Sequence, residues 1–205
     1  ARFTKWRGII SIGNGLPSRY CIDVNSHALA RFAALSQEAG LVPIVEPEVL
    51  MDGDHNIDRC FEITEVTLRE VYTQLAQQGI VLEATLLKPN MVLSGKDARD
   101  RAEPKEVASK TIACFKRSVP AAVTGIVFLS GGQNDAEATE NLDAIVRHGI
   151  EVGVPWELSF SYGRGLQTAP LKAWSGNPDN RELAQRAFHH RAYVTGAARR
   201  GAYEP

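Results

Sequence analysis

Five short apolar runs recur along the chain, at residues 6–12, 41–48, 82–91, 125–130 and 156–162, and each is followed by a longer stretch with apolar residues at helical spacing. This alternation restricts the fold more than any other feature. Strands joined by a helical crossover of a dozen residues or more pair in parallel, because short hairpin loops are absent from such a connection. The runs are apolar at successive positions, as in Gly125-Ile126-Val127-Phe128-Leu129, which suits strands covered on both faces. An α/β fold follows, built either as an open doubly wound sheet or as part of a (β/α)8 TIM barrel. Both architectures place functional groups at the carboxyl ends of their strands.

The helical stretches carry recognisable ends. Ser18 is placed to cap a helix with Ile22, Leu29, Phe32 and Leu35 on one face, closed at Gly40, and a second helix spans 58–78 before Gly79. Pro104 suits the first turn of a third, running to about 117. Asp135 opens a fourth, to about 147, and helices near 165–174 and 180–199 complete the pattern. A chain of 205 residues is large enough for one core, so residues 1–205 are expected to form a single domain. The polar connection at 93–103 is long for a plain link and is expected to lie over the cleft.

Several function classes are disfavoured. A net charge of −1 argues against a nucleic-acid binder working through a basic surface. The apolar runs fall short of the ~20 residues of a membrane span, so no membrane partner is expected. Cys21, Cys60 and Cys114 are odd in number and far apart, as suits buried thiols in a reducing compartment. Neither Gly13-Asn14-Gly15 nor Gly163-Arg164-Gly165 has the third glycine of a dinucleotide fingerprint, and no cofactor is expected. Asp52, Asp54 and His55 lack the later ligand of a calcium loop, while His189 and His190 are adjacent on a helix and cannot share one ion. No metal site is expected.

Charged residues at the strand ends point to chemistry. The third apolar run stops at Lys88, and Pro89 then prevents its continuation in a central ladder. A lone lysine before proline is more often a solvated strand end. Held at an apolar mouth beside another cation, a lysine can shed its proton and attack a carbonyl to form a Schiff base. Lys5 and Arg7 are two residues apart, as are Glu46 and Glu48, so each pair shares one side of its strand. Two placements are open for Lys5 and Arg7: a closed interior facing the glutamates, or the solvated side of a frayed first strand. Ser130-Gly131-Gly132 and Ser161-Tyr162-Gly163-Arg164 each follow a strand with residues that let backbone N–H groups approach an anion, and Arg164 adds a forked donor. A phosphorylated substrate is the natural inference.

Taken together, Lys5-Trp6-Arg7, Val45-Glu46-Pro47-Glu48, Leu87-Lys88-Pro89-Asn90-Met91, Phe128-Leu129-Ser130-Gly131-Gly132-Gln133 and Ser161-Tyr162-Gly163-Arg164 resemble the class I, Schiff-base fructose-bisphosphate aldolases across essentially the whole chain. The resemblance implies a (β/α)8 barrel that reversibly cleaves fructose 1,6-bisphosphate to the triose phosphates dihydroxyacetone phosphate and glyceraldehyde 3-phosphate, as part of glycolysis and without metal. It assigns Lys88 to the Schiff base and Glu46 to the principal acid/base role, with Glu48 assisting and Lys5 steadying charge. Arg7, Ser130, Gly131, Gly132, Ser161, Gly163 and Arg164 would hold hydroxyls and phosphates. It also implies a homotetramer in the cytoplasm, with a plastid as the other location if a transit peptide preceded Ala1. Three βα units are expected ahead of Ala1 and a tail after Pro205, and Ser11 and Asn14 stand where lysine and glutamate are expected. Residues 1–205 alone are therefore expected to associate and to show negligible cleavage. The alternative is a non-catalytic fragment or phosphosugar-binding scaffold.

Overall fold

The computed structural model describes residues 1–204. Its strands are β1 (Phe3–Ile10), β2 (Val42–Val49), β3 (Leu86–Leu87), β4 (Gly125–Phe128) and β5 (Glu157–Phe160). All pairings are parallel, and the order across the sheet is the order along the chain. That order decides between the two architectures, because a doubly wound sheet reverses its strand order at a switch point whereas a barrel advances one strand at a time.

The helices follow the same progression. They are α1 (Arg19–Glu38), α2 (Ile57–Gln77), α3 (Pro104–Ser118), α4 (Asp135–Glu151), α5 (Arg164–Trp174) and α6 (Arg181–Ala198). α1 packs on α2, α2 on α3, α3 on α4 and α4 on α6, forming an outer layer around the sheet. The result is five βα units of a partial TIM barrel, open along β1 and β5. Side-chain caps fix where three helices begin: Ser18, Asn56 and Asn134 accept the N–H groups of Cys21, Arg59 and Glu137.

The main core lies between the sheet and α2–α4. Leu87, Met91, Ile112, Ile126, Leu142 and Ile145 are fully buried there, and Phe115 stacks on Phe128 with ring centroids 5.8 Å apart. A smaller cluster beneath α1 and α2 contains Leu29, Ala30, Ala33, Val45, Val71 and Leu75. Cys60 and Cys114 are buried thiols, as expected, whereas Cys21 is half-buried. No helix among the described residues is long and apolar enough to cross a membrane.

Two expectations need correction. The apolar run 82–91 contains only a two-residue strand, preceded by a 3-10 turn over Leu82–Ala84 in which Thr85 N–H and Oγ1 both donate to the Leu82 carbonyl. Lys88 N–H extends the ladder by one bond to Val45 O at 2.8 Å, and Pro89 then has no donor to continue it. Apolar character reported burial, which this segment achieves without a long ladder. Residues 93–103 also do not line the cleft. Gly95, Lys96 and Asp97 instead donate their N–H groups to the carbonyls of His55, Met51 and Gly53, strapping the segment to the β2–α2 loop. Ion pairs Lys96–Asp52 and Arg101–Glu137 anchor its two ends.

Candidate active site

The parallel register brings the charged residues together. Arg7 lies opposite Glu46, and Ile9 opposite Glu48. Val45 lies opposite Leu87, so the next pair along is Glu46 and Lys88 on adjacent strands. Lys88 Nζ donates to Glu46 Oε1 at 2.9 Å, with the two side chains only 8% and 5% exposed. The contact puts a basic nitrogen and a carboxylate within direct proton-transfer distance.

This pair lies on the wall of a cleft of ≈ 370 Å³ at the carboxyl ends of the strands, which Lys5, Arg7 and Glu48 also line. Arg7 Nη1 donates to Glu48 Oε2 at 3.0 Å. Burial pushes the Glu48 carboxyl above its ordinary range, with the Arg7 guanidinium opposing the rise and Glu46 adding to it. The two placements open for Lys5 and Arg7 are resolved by combining parts of each. β1 is paired with β2 over all eight residues and turns both cations to the cleft, yet it is the sheet's edge, which leaves Arg7 half exposed.

Ser130, Gly131, Ser161, Gly163 and Arg164 line the opposite part of the cleft, together with Leu129. Gly131 and Gly132 have φ of +59° and +89°, a consecutive left-handed pair that side-chain-bearing residues resist. Gly132 does not line the cleft; it faces Met51, so its part is in the turn itself. Arg164 is the first residue of α5, which places a guanidinium and a helix N-terminus at the same end of the cleft.

Asp52 is engaged by Lys96, His189 and His190 are exposed on α6, and no cluster of three or more His, Cys, Asp or Glu residues suited to a metal occurs among the described residues.

Two supporting side chains were not singled out by the sequence. Asn90 Oδ1 accepts the Val49 N–H at 3.0 Å, while its amide donates to Thr64 Oγ1 and the Met91 carbonyl, fastening the segment after Lys88 to the end of β2. Gln133 Nε2 donates to Ser130 O at 2.9 Å, and Asn141 donates to Gln133 Oε1 at 2.7 Å, holding the Ser130 turn against α4. The available signal was a polar amide within each otherwise buried or turn-forming motif, since a buried amide needs partners.

An amine paired with a carboxylate at one end, and anion-binding groups at the other, is suited to a phosphorylated carbonyl compound. The family model for "Fructose-bisphosphate aldolase class-I" matches residues 1–205. The chain belongs to the class I fructose-bisphosphate aldolases. Within this family it is 51% identical to the "Probable fructose-bisphosphate aldolase class 1" of Xanthomonas campestris pv. campestris, a match covering 100% of this chain and 60% of the relative. It is 48% identical to "Fructose-bisphosphate aldolase 4, cytosolic" of Arabidopsis thaliana, covering 100% of the chain and 51% of that protein. The solved structure of fructose-bisphosphate aldolase from Plasmodium falciparum, in complex with TRAP and a small-molecule inhibitor, superposes with a TM-score of 0.96 at 40% identity. That match covers all of this aldolase chain and 59% of the Plasmodium one. The chain thus spans 51–60% of the length of these relatives.

Proposed function

We propose that this chain provides the Schiff-base site of a metal-independent fructose-bisphosphate aldolase, a lyase acting in glycolysis and gluconeogenesis. The single observation that carries the reading is the buried Lys88–Glu46 pair facing a cleft with an anion-binding end. Glu46 takes a proton from Lys88, and the freed amine adds to the C2 carbonyl of fructose 1,6-bisphosphate. Return of a proton to the resulting hydroxyl releases water and leaves an iminium ion. The iminium draws in the electrons of the C3–C4 bond as a carboxylate takes the C4 hydroxyl proton. Glyceraldehyde 3-phosphate departs, and an enamine remains on Lys88. Protonation at C3 and addition of water then free dihydroxyacetone phosphate and restore the amine.

In this scheme Glu48 assists the proton transfers, and Lys5 balances negative charge developing on oxygen. Arg7, Ser130, Gly131, Ser161, Gly163 and Arg164 hold the hydroxyls and phosphates, while Gly132 shapes the turn. Residues 1–205 act as one domain, and further βα units close on the free edges of β1 and β5. The reading is supported by the longer relatives and by the exposed Phe3 and Trp6 on β1. Self-association, to a homotetramer in this reading, can draw on exposed Leu171, Trp174 and Phe188 of α5 and α6. A cytoplasmic location is supported by relatives named cytosolic in Arabidopsis thaliana and cytoplasmic in Pisum sativum.

Borohydride reduction in the presence of dihydroxyacetone phosphate tests the proposal. The adduct is expected on Lys88 of the full natural chain and should disappear in Lys88→Ala. Phosphate binding without any adduct would indicate a scaffold, and an adduct retained by Lys88→Ala would overturn the assignment.

A further inference from the structure

Arg191 is a buried guanidinium for which the reaction scheme has no use. It lies on α6, is 7% exposed, and reaches the first turns of two other helices. Its Nε donates to Gly165 O in α5 at 3.0 Å, and one terminal nitrogen donates to Asp135 O and Thr139 Oγ1 of α4, each at 2.9 Å. The Asp135 carboxylate is 3.7 Å from Nε, beyond direct hydrogen-bond distance. Burying a guanidinium is costly unless its donors are satisfied, and here two backbone carbonyls and a hydroxyl take three of its five N–H groups.

The positions joined in this way matter for the cleft. α4 follows the Ser130–Gly131 turn after a few residues, and α5 begins with Arg164. Gly165, whose carbonyl Arg191 holds, lies so close to the other loop that an added Cβ would stand 3.2 Å from Ser130 Cβ and 3.1 Å from Tyr162 Cδ2. Tyr162 in turn donates its hydroxyl to Ala138 O at 2.8 Å, a second link from the end of β5 to α4. These links add to the short β4–β5 ladder that joins the two loops.

We propose that Arg191 is a positioning residue that holds the Ser130–Gly131 and Gly163–Arg164 ends at one separation, so that they form a single cradle for a substrate phosphate. This rests on the aldolase reading of the cleft. Arg191 acts through Gly165 and Asp135 and does not itself touch the ligand. Its planar fork serves two helices at once, a task the single ammonium of lysine cannot reproduce despite the same charge.

The test compares the full natural chain with Arg191→Lys, Arg191→Met and Thr139→Val. Two quantities are measured: inorganic phosphate affinity by titration calorimetry, and borohydride trapping of unphosphorylated dihydroxyacetone on Lys88. Arg191→Lys should weaken phosphate binding by about tenfold or more while trapping of the unphosphorylated ketone stays within about twofold. Thr139→Val, which removes one of the three hydrogen bonds, should show a smaller loss in the same direction and carries the test if Arg191→Met does not fold. General destabilisation would lower both readouts together and would reduce Arg191 to a structural role, overturning the proposal. Unchanged phosphate affinity in Arg191→Lys would overturn the inference alone. Failure of the wild-type protein to bind phosphate, with ketone trapping intact, would instead defeat the phosphate reading and the inference with it.

Discussion

Replacing Glu46 by glutamine separates the chemistry of the buried pair from its contribution to stability. The Lys88 Nζ–Glu46 Oε1 distance is 2.9 Å and the glutamate side chain is 5% exposed, so an amide of the same shape keeps an acceptor facing the lysine. At an effective dielectric of about 20, attraction between unit charges at this separation is ~6 kcal/mol, but several kcal/mol are offset by the desolvation of each ion. Glutamine relieves only the glutamate's share of that desolvation and leaves the Lys88 charge buried without its counter-ion, so the substitution should cost ~3–5 kcal/mol of stability, less whatever the retained hydrogen bond returns. The chemical loss is a separate quantity. Glutamine cannot accept the amine's proton, and general acid–base participation is typically worth ~10²–10⁴-fold. Stopped-flow mixing with dihydroxyacetone phosphate, quenched into borohydride and read by mass spectrometry, measures the rate of adduct formation on Lys88. Urea titration on the same sample measures stability. A trapping rate within about threefold of wild type, in protein that the titration shows to be folded, would show that Glu46 is not the group that exchanges protons with Lys88.

Two further outcomes follow from the structure. Burial raises the Glu48 carboxyl above its ordinary 4.5, so the folded protein holds that proton more tightly than the unfolded chain does. The resulting stabilisation is fully present below about pH 4.5 and is lost as pH rises through the raised value; Glu48→Gln should gain stability relative to wild type over that rise, and a flat or opposite difference in urea midpoints would refute the argument. In the strap, a Cβ on Gly95 would overlap the Gly53 carbonyl, with backbone on both sides of the contact. Gly95→Ala should lower stability by ~1–3 kcal/mol and increase hydrogen exchange at Lys96 and Asp97, whereas a wild-type urea midpoint would show that the strap yields freely.

The sequence by itself determined the parallel α/β class, because each apolar run is followed by enough helix to require a crossover. It also located the helix starts, where Ser18, Pro104 and Asp135 each carry a local preference that operates within one turn. That Lys88, Glu46 and Glu48 would meet at a cleft was legible because charge at an apolar strand end conflicts with burial, whereas spacing alone left the placement of Lys5 open. The motifs containing them also kept the order and spacing of the aldolase family. Local pattern could not choose between an open sheet and a barrel arc, since the same βα units serve both. Only the sequential strand order decided that.

Contacts distant along the chain account for the rest. Whether residues 93–103 cover the cleft depends on where the 51–55 carbonyls lie, and those carbonyls leave no signature in residue type. The length of β3 was hidden because an apolar run reports burial and not which backbone groups find partners. Arg191 stands 26 residues from Gly165 and 52 from Thr139, and its helix looks largely exposed in sequence. A side chain's identity limits the bonds it can make, but tertiary packing alone brings the two helix starts within reach of one guanidinium.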